Sequence, residues 1–445
     1  MTMPSAEMVR LNKDYTLFEW NAQAAFNPIP VARAKGVYFW DPDGKRYIDM
    51  NSQLMSVNIG HGDERVIKAI QQQAETLTYA SPYMATEARG VLGEMIAEIA
   101  PGSLKKSFFT LGGSEANENA IKIARMVTGK HKIIARYRSY HGGTAGSMTL
   151  TGDPRRWAAE PGIPGVVRIM DPYRYRCRWC EAASACNLNC LNHVEDTIQF
   201  ENPNNIAAII MEPVTGTNGI IIPPERYMQG IRYLCDKYGI LFIADEIMSG
   251  FGRTGEWFAV DHWDVAPDIM SIAKGLTSSY MPLGATMVSE EVAKYFDDKV
   301  LYAGLTYGGH AMSCAAAIAC INVYKEDNLI ARAKEMGKYL GEWHEKLKAK
   351  HPSVGDARYI GMFSILEIVK NRATREPMAP YNAKASEMGA MAVINKFFRE
   401  NGLFTFVRWN NILVNPPLSI TKAELDEGME IIDRALEITD DSYVE

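Results

Sequence analysis

The sequence predicts an α/β protein: a mostly parallel central sheet covered by helices on both faces, with a smaller α+β domain assembled from the two chain ends. Two observations lead there. Through the middle of the chain, apolar runs of strand length alternate with helical patterns, which is how a sheet buried on both faces reads. On either side the pattern changes, to a hairpin near the N-terminus and to a long amphipathic helix followed by strand, turn and helix near the C-terminus. With 445 residues and 47% hydrophobic content, the chain is long enough for a large core and a second domain. The expected division is 1–60 for the N-terminal part of the small domain, 61–324 for the large domain and 325–445 for the C-terminal part of the small domain.

In chain order, "GVYFWDPDGKRYIDM" is a hairpin, two runs rich in Val, Tyr, Phe and Ile around an Asp-Pro-Asp-Gly turn. Strands follow at 106–111, 131–137, 206–214 and 239–247, separated by helices such as "SEANENAIKIARMVTG" and "PERYMQGIRYLCDKYG". Ile330, Ala333, Met336, Leu340, Trp343 and Leu347 recur at helical spacing and predict an amphipathic helix over 326–350. Near the end, Thr421 and Glu424 have the spacing of a capping box that opens the last helix.

Composition removes several function classes. The net charge is −6, and no basic run or aromatic-basic stripe offers a nucleic-acid surface. No stretch reaches the about eighteen uninterrupted apolar residues of a membrane span, and the N-terminus lacks a basic segment followed by an apolar core. The expectation is a cytoplasmic protein without nucleic-acid or membrane partners. Seven cysteines, an odd number, point to reduced thiols rather than a disulfide framework.

The chemistry concentrates at strand ends. In "DIMSIAKGLTSSYMPLGA", Lys274 is the sole charged residue between Asp268 and Glu290. An ammonium placed among apolar and small residues is paired, neutralised or used covalently, unless its stem packs while its head reaches water. "FFTLGGSEANENA" ends a strand in Gly-Gly-Ser and begins a helix at once, which suits an anion; Ser114 as a plain N-cap is the other reading. "ILFIADEIMSGFGRTG" delivers Asp245 at the C-terminal end of an apolar strand, where it could cap, bind a metal or face a protonated ring nitrogen. Glu212 ends another strand in the same manner, and "RSYHGGTAGS" places Tyr140 after a third. A lysine, a strand-end aspartate, an anion cradle and an aromatic to stack on a ring are together what pyridoxal phosphate requires.

At these residues the sequence resembles the class III (omega) aminotransferases, fold-type I pyridoxal-phosphate enzymes. The matching stretches are "GGSEANENAIKIAR", "YHGGT", "MEPV", "ADEIMSGFGRTG", "IAKGL", "LTYGGHAMSCAAA" and the N-terminal hairpin, in family order along nearly the whole chain. The resemblance implies a homodimer with shared active sites. It implies that Lys274 forms a Schiff base with the cofactor, that Asp245 pairs with the pyridine nitrogen, and that Gly113 and Ser114 hold the phosphate. Tyr140 and Ile247 would pack on the two ring faces, Thr306 would reach the neighbouring subunit's phosphate, and Glu212 would join the hydrogen bonds beside the ring. The phosphate loop reads Gly112-Gly113-Ser114 where the family usually has Ser-Gly-Ser or Thr-Gly-Ser, which removes one side-chain contact and keeps the backbone donors.

For the substrates, "NSQLMSVNIGHG" and "TLFEWNAQ" resemble the branch that moves the amino group of taurine, β-alanine or another ω-amine to pyruvate. The alternatives on the same scaffold are a 2-oxoglutarate-dependent enzyme of the 4-aminobutyrate or ornithine type, or an aminomutase. Trp20, Met55, Tyr83 and Tyr140 are the expected pocket residues. Arg408, in "FTFVRWNN", matches an arginine that takes the keto-acid carboxylate; a strand arginine on a solvated face is its other reading. Finally, "CRWCEAASACNLNC" sets Cys177, Cys180, Cys186 and Cys190 at spacings that fit zinc or an iron-sulfur centre, with free thiols or a local disulfide as the other readings.

Overall fold

The computed structural model describes residues 3–180 and 186–445. Its centre is a seven-stranded sheet in the order Leu104–Thr110, Gly284–Ser289, Ile269–Ile272, Leu241–Asp245, Ile206–Met211, Lys132–Arg136, Val166–Ile169. The five strands from Ile269–Ile272 to Val166–Ile169 are mutually parallel, and Gly284–Ser289 runs antiparallel to both its neighbours. All six residues of Ile206–Met211 are fully buried, as a strand covered on both faces requires.

Register decides what meets at the sheet edge. Met211 pairs with Ala244, and Asp245 pairs with Ser271, so three strands end level. Glu212, Asp245 and Lys274 therefore emerge together at the carboxyl edge, where open α/β sheets bind ligands. The strands stop a few residues before the apolar runs do. Glu246 turns out of the sheet because its carboxylate accepts the Val260 N–H at 2.9 Å and the Ser249 hydroxyl.

The chain ends are joined by pairing. The hairpin forms with Tyr38 opposite Ile48, and Leu403–Phe404 adds to it in parallel through Leu403 and Ile48. A further sheet contains Val354–Ile360, Phe363–Asn371, Asn411–Val414 and Val407–Arg408. The helix expected from 326 begins at Leu329 and runs to Lys350; Asn328, left-handed at φ 50°, separates it from the preceding helix Ala311–Glu326. The capping box is present: Thr421 Oγ1 accepts the Glu424 N–H at 3.3 Å while the Thr421 N–H reaches Glu424 Oε2 at 2.7 Å. It starts the helix Lys422–Asp440, whose Leu425, Met429, Ile432 and Leu436 are fully buried. Burying each contributes roughly 1.5–3 kcal/mol. Among the described residues, no helix is long and apolar enough to cross a membrane.

Candidate active site

Lys274 follows the strand Ile269–Ile272 by one residue and sits in the left-handed region at φ 44°. Such a conformation costs a non-glycine residue about 1–3 kcal/mol and concentrates at functional sites. Among the described residues its Nζ has no hydrogen-bond or ion-pair partner; it faces a cavity of about 410 Å³ that also meets Gly113, Ser114, Tyr140 and Asp245. Burial pushes the ammonium down from 10.5 to about 8, against the pull of Asp245 and Glu212 and with help from Arg155 and Arg253. A substantial fraction is thus neutral amine near physiological pH.

Asp245 is 3% exposed and held by three donors. Its Oδ2 meets His141 Nδ1 at 2.7 Å and accepts Asn117 Nδ2 at 2.8 Å, while Oδ1, among the described residues, accepts only the Ile247 N–H at 3.2 Å. Asn117 Nδ2 also donates to the His141 carbonyl at 2.7 Å, so histidine and aspartate are fixed as one unit. A carboxylate oxygen accepts more than one hydrogen bond, which leaves Oδ1 capacity for another donor. Glu212 is engaged differently. Its Oε1 accepts the Tyr140 N–H at 3.1 Å and its Oε2 the Gly216 N–H at 2.7 Å. Burial, with the Asp245 charge adding to it, holds its carboxyl above the usual range.

The helix Gly113–Thr128 begins at this edge with Gly112 as its cap. Ser114 is therefore not the N-cap, and its Oγ accepts the Gly143 N–H at 2.9 Å instead. Side chains are excluded around it: a Cβ on Gly142, at φ 141°, would lie 2.5 Å from Ser114 Oγ, and one on Gly113 would lie 2.6 Å from Ile247 Cδ1. The result is bare backbone at the positive end of a sixteen-residue helix. The Tyr140 ring stands beside the cavity, with Trp20 edge-on at 6.0 Å and the Arg155 guanidinium 3.7 Å from its centroid. An unpartnered enclosed amine, a carboxylate with an open oxygen, a glycine-cleared helix terminus and an aromatic wall fit pyridoxal phosphate.

Sequence reasoning missed Asp153 and Arg155. Asp153 is fully buried at the start of a short helical turn; its Oδ2 accepts Arg155 Nε at 2.9 Å and Arg408 Nη2 at 3.0 Å. Arg155 also donates to Thr217 Oγ1 at 3.1 Å, and Thr217 lines the Lys274 cavity. Arg408 is not on a solvated face. Its side chain is 13% exposed, lies over the Trp409 ring at 4.2 Å, and is pushed down to about 10 by burial and by Arg155. The one sequence signal for this cluster was "GDPRRW", two arginines close behind an aspartate.

Other expected residues lie elsewhere. Met55 is 3% exposed and packs with Val214, Met248 and Phe363, while its neighbours Leu54 and Ser56 line the cavity. Thr306 and Tyr83 sit outside the Lys274 cavity, in a surface groove with Tyr79, Arg89 and Phe109, where Tyr79 donates to the Thr306 carbonyl at 2.9 Å. Tyr83 is fully exposed. The metal reading of the cysteine cluster is corrected: among the described residues, no three or more His, Cys, Asp or Glu side chains are arranged to hold an ion. Cys180 Sγ donates to Asn187 Oδ1 at 3.3 Å, and Cys190 is buried at the start of the helix Asn189–Phe200. Residues 181–185 of that loop lie outside the described residues.

Comparison with known proteins identifies the family. The family model described as aminotransferase class-III matches residues 20–436. A taurine–pyruvate aminotransferase of Bilophila wadsworthia is 33% identical with both chains fully covered. A putrescine–pyruvate aminotransferase of Pseudomonas aeruginosa is 35% identical over 92% of this chain and 90% of its own. The crystal structure of a taurine:2-oxoglutarate aminotransferase from Bifidobacterium kashiwanohense, in complex with PLP and glutamate, superposes with a TM-score of 0.94 at 43% identity, covering 99% of each chain.

Proposed function

The chain belongs to the class III aminotransferases, and from that premise we propose that it moves the amino group of an acid-bearing ω-amine, taurine or β-alanine, to a 2-keto acid. The cofactor of the family, pyridoxal phosphate, supplies when bound an aldehyde for imine exchange and a cationic ring that takes up charge from the substrate carbon. Lys274 would hold the aldehyde, Asp245 the ring nitrogen, and the Gly112–Ser114 backbone the phosphate, all of them lining one cavity. With the cofactor bound, Lys274 Nζ would take a proton from the amine-bearing carbon of the substrate and deliver it to the carbon of the former aldehyde, a task suited to an amine titrating near 8. His141 and Asn117 hold Asp245 through Oδ2, which leaves Oδ1 with capacity for a further donor. Glu212 braces the backbone of Tyr140, whose ring closes the site against water.

The observation that carries the substrate reading is the sharing of Asp153 by Arg155 and Arg408. Two guanidiniums on one carboxylate leave an uncompensated positive charge beside the cavity, a seat for a sulfonate or carboxylate. A dicarboxylate acceptor such as 2-oxoglutarate engages both arginines, whereas pyruvate engages one. The cluster thus favours 2-oxoglutarate over the pyruvate expected from sequence, and the 43% identical taurine:2-oxoglutarate enzyme supports the same order. Pyruvate is the second reading, supported by the taurine and putrescine relatives. The test is kcat/KM for each keto acid with taurine as donor, in wild type and in Arg155→Ala. The proposal expects 2-oxoglutarate to be preferred and the variant to lose more with it than with pyruvate; equal losses would contradict it.

The same proposal includes a homodimer. Thr306 lies in a groove away from its own Lys274, and Leu54, Tyr83, Met84 and Tyr302 are exposed apolar side chains that a second copy would cover. Light scattering that finds a monomer at working concentration would refute it.

A further inference from the structure

The cysteine-rich loop is arranged for different chemistry. Cys177, Cys180, Cys186 and Cys190 all line one cavity of about 620 Å³, together with Ile221, Pro223 and Asp356. Cys177, Cys180 and Cys186 are partly exposed and Cys190 is buried. The Cys180 to Asn187 hydrogen bond holds the two arms of the loop side by side, which sets Cys180 next to the Cys186 arm. Burial, with Cys186, Cys177 and Cys180 adding to it, raises the Cys190 thiol to about 12, so all three lie within electrostatic reach of it. The remaining cysteines are separate from this group. Cys235 is buried in the helix Tyr227–Tyr238, and Cys314 and Cys320 are buried in Ala311–Glu326, with all three thiols pushed up by burial. Among the described residues, no other cysteine acts on any of these three thiols, whereas three act on Cys190.

We propose that this cavity is a thiol-oxidation site, in which hydroperoxide joins cysteines of this set in one or two reversible disulfides within one chain. A thiolate from one of the partly exposed cysteines attacks a peroxide oxygen; the O–O bond breaks, giving a sulfenic acid and hydroxide, which takes up the thiol proton as water. A second thiol of the set attacks that sulfur; the S–S bond forms, the S–O bond breaks and a second water leaves. Two thiols are oxidised by two electrons, and one hydrogen peroxide is reduced to two waters.

The test uses the full-length holoenzyme treated with hydrogen peroxide and quenched with catalase. Thiols are counted in denaturant, chains are run on a non-reducing gel, and the linkage is mapped by mass spectrometry of digested protein. The expected result is that the count falls from seven by two or by four, returns with dithiothreitol, and leaves single chains, with every link inside the set of Cys177, Cys180, Cys186 and Cys190. In Cys177→Ser/Cys180→Ser/Cys186→Ser the count should not fall. An unchanged count in wild type, a loss that dithiothreitol does not reverse, links between chains, or links that include Cys235, Cys314 or Cys320 would each overturn the proposal.

Discussion

Replacing Lys274 by Met should abolish activity and yet make the cofactor-free protein more stable at neutral pH. Burial lowers the lysine from 10.5 in the unfolded chain to about 8 in the folded one. At about 1.4 kcal/mol per unit, that difference is about 3–4 kcal/mol of strain held in the empty site. Because the folded value is the lower, the unfolded chain binds more protons between pH 8 and pH 10.5. Stability therefore rises with pH across that window: the full cost applies below about 8 and is gone above 10.5. Methionine has similar bulk and no charge, and it carries the same backbone strain at φ 44°. Urea unfolding of both apoproteins should show Lys274→Met more stable by about 3–4 kcal/mol at pH 7, with the gap closing as pH rises from about 8 to 10.5. The cofactor must be absent, since ligand binding would add its own stabilisation to the wild type alone. A variant no more stable than wild type at pH 7, or a gap that does not narrow with pH, would refute an enclosed, unpaired lysine.

Further outcomes follow from other contacts. Glu367 is pushed up by burial, but Arg358 and Arg176 outweigh that and hold it at about 2, down from 4.5. Its ion pairs contribute about 3 kcal/mol above pH 4.5, lost as pH falls through about 2. Glu367→Gln should lower stability by roughly that amount or more, read by urea unfolding at pH 7. His141→Ala removes one of two donors from Asp245 Oδ2, and at about 1.5–3 kcal/mol for a hydrogen bond to a charged group it should weaken pyridoxal phosphate binding about ten- to a hundredfold, measured by absorbance titration of apoprotein. Gly142→Ala would drive a methyl into Ser114 at a φ of 141°, and should reduce cofactor affinity while leaving the far-ultraviolet circular dichroism unchanged.

Much of the site was legible because it lies at strand ends, where local patterns mark position. The apolar runs before Glu212, Asp245 and Lys274 announce a parallel sheet, and parallel strands ending level bring three distant residues to one edge. The glycines around Ser114 were legible for a related reason, since only bare backbone lets the Gly142 loop cross the helix start. What depended on tertiary approach was not. Asp153, Arg155 and Arg408 form one cluster across more than 250 residues of chain, and no local pattern pairs them. The exchange of Met55 for Leu54 and Ser56 as cavity lining follows from positive φ values at Ser52, Gln53 and Met55, which break the periodicity that sequence reading relies on. The cysteine spacing suggested a metal because spacing alone carries no geometry; the side chains line a cavity without converging on a point.

The absorption spectrum of the protein reconstituted with pyridoxal phosphate, titrated with taurine in the absence of any keto acid, tests the central claim most directly. If Lys274 holds the cofactor and the chain transfers amino groups, the visible band of the lysine-bound cofactor should disappear as taurine is added. It should return when 2-oxoglutarate follows, and it should be absent throughout in Lys274→Ala. A band that taurine, β-alanine and simple primary amines all leave unchanged, or one that survives in Lys274→Ala, would contradict the account.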